Sequence, residues 1–462
     1  MDFLDLPLEL LSDILSPLAK PQHLASACLV NKAFNQFGTP RLYERVSIYS
    51  WHKHSKAKVL GLFNTLAHCP YLAKYVLKLE IRDFPKSVGT VDLEELVVQG
   101  LKNCTSLQSC TWTRDGSLSS EVLAVLQTLD TLVELEINGH SDGQYDATLL
   151  SHFSHLRRIS LIMPSAEVVR RLSPWMATTG ATLSSLTLIC KMSSLITDRV
   201  LESLAPSLCS LEQFSITGCP RVTYLGIWSI LSHNTAGLHV LGLEGLPRNF
   251  NIGALSSRCT SSDVLVRLRS FTLSIYSDTW LAAALEMLAQ APLQQIQLYA
   301  THGALAPSAA ADTFWTDLVT AHGARLTRVS VHRMPISLRT IADVCARCTS
   351  LRQLFVVVDP DPVALTALAD CLATAPRLCE VHVNSPQRSV THDSTVGVMS
   401  APEALALVRR CPESIMLFGC NARVWHVERR ILRNDEGELI AERVLTRYDS
   451  PDIPEQFLVV RT

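Results

Sequence analysis

From Leu107 onward one phrase keeps returning: a leucine, two variable residues, an apolar residue, one variable residue, and a second apolar residue. The cleanest copy is "LVELEI" at 132–137. Others open at Leu107, Leu156, Leu183, Leu211, Leu238, Leu268, Leu293, Leu326, Leu351 and Leu378, which makes eleven copies spaced 24 to 33 residues apart. Each ends in alternating apolar and polar residues, with Ile, Val, Phe and Thr common, the period-two pattern of a short, half-buried strand. Between them lie stretches such as "SEVLAVLQTL" (120–129), "WLAAALEMLAQA" (280–291) and "VALTALADCLATA" (363–375), which read as helices. One strand and one helix cannot bury their own apolar faces, so successive units must stack. The fold class this predicts is an α/β solenoid, with parallel strands on an inner wall and helices outside.

The stretch "LITDRVLESLAPSLCSLEQFSITGCP" (195–220) carries Ile196-Thr197-Asp198, Leu201, Leu204, Ala205, Leu208, Leu211 and Cys219-Pro220. In this it resembles the leucine-rich-repeat family, in its cysteine-containing subtype, and the resemblance implies a horseshoe-shaped solenoid. Cys69, Cys104 and Cys348 each stand three residues before a repeat leucine, where other copies put Phe153 or Thr235. A position that accepts phenylalanine is a packing position and not a ligand.

A net charge of -2 gives no global reason for binding nucleic acid or an anionic membrane. Fourteen cysteines spread along 462 residues fall well short of a disulfide scaffold, and reduced thiols in cytoplasm or nucleus are expected. Asp2, Asp5 and Glu9 stand where a secretory signal needs basic residues, and no apolar run approaches about 18 residues.

The opening "LPLELLSDIL" (6–15) has a proline where a first helical turn tolerates one, then Glu9 at the positive end of the helix. Leu8, Leu11, Ile14, Leu15 and Leu18 follow at helical spacing, and "HLASACLVNKAF" and "PRLYERV" suggest further short helices. About 40 residues of short helices enclose little core, so part of this apolar surface needs a partner or the adjoining repeats. Residues 4–46 resemble an F-box, on Leu6-Pro7-Leu8-Glu9, Ile14, Leu15, Ala27-Cys28-Leu29-Val30-Asn31-Lys32, Phe34 and Pro40-Arg41-Leu42-Tyr43. Phe34 stands where many members of that family carry tryptophan. The resemblance implies docking on the Skp adaptor, and through it a cullin, in an E3 ubiquitin ligase, with Leu6, Pro7, Leu8, Ile14, Leu15 and Leu42 as the adaptor contact. A helical cap that merely closes the solenoid is the other reading. The expected division is an F-box over 1–46, repeats over 47–420, beginning with a lengthened copy in "CPYLAKYVLKLEI" (69–81), and a C-terminal cap and tail over 421–462.

No P-loop, GxGxxG, GxSxG or HExxH pattern occurs. Cys345 and Cys348 have CxxC spacing, but no second pair lies at zinc-finger distance. No active site, metal or cofactor is expected. The residues alternating with the buried ones on each strand should face the inner wall. They are small and hydroxylated in the middle copies and larger toward the C-terminal end, where Tyr299, Arg328, His332, Phe355 and His382 are the expected substrate contacts. "THGALAPSAAADT" (301–313) reads as a rim loop. Asn434-Asp435-Glu436-Gly437 reads as the turn of a β-hairpin that covers the last strand edge, with arginines 429, 430 and 433 pairing glutamates 436, 438 and 442 across it. Taken together, the sequence reads as the substrate receptor of a Skp–cullin–F-box ligase, or alternatively as a ligase-independent repeat scaffold.

Overall fold

The computed structural model describes residues 7–18, 20–85, 93–301, 308–358, 361–386, 399–433 and 438–448. They form two compact units, Met1–Leu211 with His233–Ala236, and the remainder of Glu212–Tyr448.

The first unit opens with three helices, α1 (Leu10–Leu15), α2 (Pro21–Cys28) and α3 (Lys32–Glu44). Helix α1 stops at Leu15, short of the expected Leu18, because Pro17 cannot continue it. Leu11, Leu15, Leu24 and Cys28 form the core of the cluster. Gly38 of α3 lets the helices approach: a Cβ there would lie 2.7 Å from Cys28 Sγ. Asn31 caps α3 by accepting the Phe34 N–H at 2.9 Å. Arg41 donates to the Ser12 and Ser16 carbonyls, each at 3.4 Å, and ties α3 to the end of α1.

The first strand comes earlier than expected, because "PRLYERV" is split between helix and strand. Strand β1 (Arg45–Ile48) follows α3 directly and pairs in parallel with β2 (Lys78–Ile81). Then come β3 (Ser109–Trp112), β4 (Glu134–Asn138), β5 (Arg158–Ile162) and β6 (Ser185–Ile189), each parallel to the one before.

In the second unit, β7 (Gln213–Thr217), β8 (Val240–Glu244), β9 (Ser270–Ile275), β10 (Gln295–Ala300), β11 (Arg328–His332), β12 (Gln353–Val357), β13 (Glu380–Asn384) and β14 (Leu417–Cys420) are likewise parallel in sequence order. Two antiparallel strands follow, β15 (Arg423–Arg433) on β14 and β16 (Leu439–Arg447) on β15. The expected turn, 434–437, lies outside the described residues.

The alternation read from the repeat phrase holds in β4, β5 and β7, whereas all five residues of β11 are buried. Leu135 and Ile137, Leu161 and Ile159, Phe214 and Ile216 all point away from water. The expected helices are present at Ser120–Gln127, Asp278–Leu288 and Pro362–Ala373. The shortest repeat, 24 residues long, replaces its α-helix with a 3-10 turn over Ala147–His152. Residues 301–313 are not simply a rim loop. A helix runs over Ala309–His322, capped by Ser308, whose hydroxyl accepts the Ala311 N–H at 3.1 Å, while 302–307 lie outside the described residues.

Side-chain hydrogen bonds lock one repeat to the next where the phrase begins. Thr131, just ahead of Leu132, donates to the Leu107 carbonyl at 2.8 Å, and Thr182, just ahead of Leu183, donates to the Leu156 carbonyl at 3.1 Å. All fourteen cysteines are free thiols. Burial pushes Cys104 and Cys348 up to about 12, so both stay protonated packing residues at neutral pH.

Candidate docking surfaces

Helix α1 has two apolar faces. Leu11 and Leu15 point into the three-helix core, while Leu10 and Ile14, one position back along the same turns, point outward. Ile14 is 40% exposed, and Leu8 in the turn ahead of the helix is also exposed. Leu29 and Val30, between α2 and α3, are 86% and 64% exposed. Two adjacent apolar residues in a tight turn cannot both face inward, and Asn31 beside them is committed to capping α3.

Of the expected adaptor contacts, Pro7, Leu8 and Ile14 are exposed and Leu42 is half-buried on the last turn of α3. Leu6 lies outside the described residues. Leu15 requires correction: at 1% exposed it belongs to the core, because it lies one turn beyond Leu11 on the inward stripe. Leu10 is exposed too, and Leu29 and Val30, which stand among the F-box-matching residues of the sequence but not among the expected contacts, are more exposed than Leu8, Leu10 or Ile14.

The residues of the expected substrate strip are buried in this structure. Tyr299, Arg328, His332, Phe355 and His382 do come together, yet none is more than 8% exposed. In-register parallel pairing sets Tyr299 beside His332, Ser330 beside Phe355, and Phe355 beside His382. At a strand spacing of about 4.8 Å, large side chains at one register cover one another. The Tyr299 and His332 rings stack at 4.6 Å, Phe355 meets His382 edge to face at 6.2 Å, and the Arg328 guanidinium lies 5.0 Å over the Phe355 ring. His332 Nε2 is 2.8 Å from Ser330 Oγ, while His382 Nε2 is 3.0 Å from the Asn421 carbonyl oxygen.

Burial dominates the ionisation of this strip. It holds His332 down to about 3, with further lowering from His382, Arg328 and Arg333, and His382 down to about 4. Both imidazoles are neutral at neutral pH. Burial also lowers Arg328, opposed by Tyr299 and Glu380.

The inner wall of the first unit is polar and partly open. Arg45 pairs with Glu80 at 2.9 Å and Arg82 with Glu136 at 2.9 Å, so its charges cancel locally. Tyr49 donates to Glu80 at 2.6 Å and stacks on the exposed Trp51 at 4.7 Å.

Among known families, the F-box-like family matches residues 3–49. No curated protein matches the chain. Among solved structures, the leucine-rich-repeat-containing protein LegL7 from Legionella pneumophila is 13% identical with a TM-score of 0.38, over 67% of this chain and 93% of its own. The chain in the crystal structure of a TLR13–ssRNA13 complex is also 13% identical with a TM-score of 0.38, over 77% of this chain and 48% of that one, so this protein spans about half its length. No helix among the described residues is long and apolar enough to cross a membrane. Residues 3–49 match the F-box-like family, and in each of the two units the strands that follow are parallel and alternate with helices.

Proposed function

We propose that this protein is the substrate-recognition subunit of a Skp–cullin–F-box E3 ubiquitin ligase. In this reading the F-box docks on the Skp adaptor and the repeats hold a substrate protein, without a catalytic centre in this chain. The observation that supports it most is the exposure of Leu8, Leu10, Ile14, Leu29 and Val30 on a domain matching the F-box-like family. Apolar residues left in water at this density on a small helical cluster favour burial against a partner. Pro7, Leu42 and Leu6 extend the proposed contact. The mechanism is proximity: binding adaptor and substrate at once raises the concentration of substrate lysines near a charged ubiquitin carrier.

The test is co-purification of the full chain with the Skp adaptor, beside an Ile14→Asp, Leu29→Asp double variant. Both positions are exposed, so circular dichroism should be unchanged. Binding by the parent and not by the variant is expected. A parent chain that does not bind the adaptor overturns the ligase reading and favours a ligase-independent scaffold.

A further inference from the structure

The last two strands reach beyond the repeats they close. Strand β14 pairs only with Arg423–His426 of β15, so the rest of β15 runs on for about 20 Å without a repeat strand beside it. The near half of the ribbon is anchored. Arg443 donates to the Val408 and Cys411 carbonyls at 2.8 Å each, Arg429 bonds Glu413, and Glu442 meets Arg409 of helix Ala401–Arg410. The expected cross-strand pairing of arginines with glutamates is thus only partly present: Arg430 stands opposite Glu442, but Arg429 stands opposite Arg443.

Beyond these anchors, four apolar residues face water, with Ile431 at 72%, Leu439 at 70%, and Leu432 and Ile440 also exposed. A two-stranded ribbon is marginal by itself in water, and this one leaves apolar residues on both faces. One face is basic and the other mixed. The register puts Arg429, Arg433, Arg443 and Arg447 on one face with Ile431 and Leu439, and Glu428, Arg430 and Glu442 on the other face with Leu432, Ile440 and Val444. Strand β16 pairs with β15 alone among the described residues, so the main-chain groups along its outer edge have no strand partner there.

We propose that the outer edge of β16 takes up an extended acidic segment of a partner protein as an added strand. Main-chain hydrogen bonds to the edge give affinity, and the alternation of side chains gives selectivity. Carboxylates of the added strand lie on the face of the exposed Arg433 and Arg447, and its apolar side chains lie against Ile440 and Val444. A second copy of this chain fits less well. Twofold antiparallel pairing of β16 with itself keeps Arg443 and Arg447 of both copies on one face, so it brings like charges together where an acidic strand would bring opposite ones.

The experiment is fluorescence anisotropy on the full chain with a labelled peptide of alternating glutamate and valine, about as long as β16, beside a lysine and valine counterpart. The glutamate peptide should bind at least about tenfold more tightly, a difference of about 1.4 kcal/mol. Arg433→Glu with Arg447→Glu should remove that preference, and Ile440→Lys should weaken binding severalfold. These positions are exposed, so thermal melts should not change. Equal binding of the two peptides, no binding of the glutamate peptide, or binding indifferent to the variants overturns the proposal. So does light scattering that finds a dimer abolished by Ile440→Lys, or duplex DNA that competes for the same arginines. None of these readouts depends on the adaptor, so they stand apart from the F-box reading.

Discussion

Gly419 makes room for His382: a Cβ at position 419 would lie 1.9 Å from His382 Nδ1. The two residues face each other across β13 and β14, and the imidazole is held on its far side by Asn384 and the Asn421 carbonyl. The ring cannot retreat without giving up those bonds. Gly419→Ala should therefore cost about 1 to 3 kcal/mol. His382→Ala in the same chain should recover part of that loss. Urea denaturation of the two single variants and the double variant checks this, and strictly additive effects would show that no such contact exists.

The buried imidazoles predict a pH dependence of stability. His332 and His382 titrate near 3 and near 4 in the folded protein, against about 6.5 in the unfolded chain. The unfolded chain then binds more protons between those values, so stability rises with pH there. It is complete above about 6.5 and is lost as pH falls toward 4 and 3, at no more than about 1.4 kcal/mol per pH unit for each imidazole. Glu244, pushed up to about 7 by burial, works in the opposite direction and loses stability as pH rises from 4.5 to 7. Denaturation midpoints at several pH values should fall less steeply in acid for His382→Gln and more steeply for Glu244→Gln. Parallel profiles for all three chains would refute the assignment.

Several repeats turn at the residue just after the strand through left-handed backbone. Gly218 and Gly245 do so with φ of 68° and 57°, while Met163 and Arg333 do so with φ of 52° and 57°. The side chain costs energy in that region. Met163→Gly should stabilise the first unit by roughly 0.5 to 1 kcal/mol in a thermal melt. Gly245→Ala should do the reverse by about 1 to 2 kcal/mol, since its Cβ would also sit 3.0 Å from the Gly218 nitrogen. A destabilised Met163→Gly protein would mean that the methionine's packing outweighs its backbone strain.

Leu15 and Ile14 are neighbours in sequence with opposite exposure, one in the core and one facing water. Leu15→Ala should cost about 2 to 4 kcal/mol through a cavity in the helical core, whereas Ile14→Asp should cost less than about 1 kcal/mol. Adaptor binding should follow the reverse pattern once the Leu15→Ala protein is tested below its melting temperature. Hydrogen exchange over α1 to α3 separates the two effects. Equal loss of protection in both variants would contradict the assignment of faces.

The phrase around Leu132 was enough to place a strand, its buried face and its neighbours, because side-chain alternation and repeat spacing are local properties of the chain. The same local alternation placed the two antiparallel segments near the end. Burial of the inner-wall residues was not local. Tyr299 is covered by His332, 33 residues later, and Phe355 by His382 and Arg328, so residues that read as an exposed aromatic strip became a closed ladder once the strands stood in register. Composition could list Tyr, Arg, Phe and His, but it could not say that each would spend its surface on the next. The F-box divided in the same way: helical spacing drew Ile14 and Leu15 together as contacts, and only the packing of α3, with Gly38 against Leu15, separated the one facing water from the one in the core. The sequence by itself determined which residues alternate, repeat and cap. Tertiary structure alone decided which of them remain open to a partner, because exposure is set by neighbours that are distant in the chain.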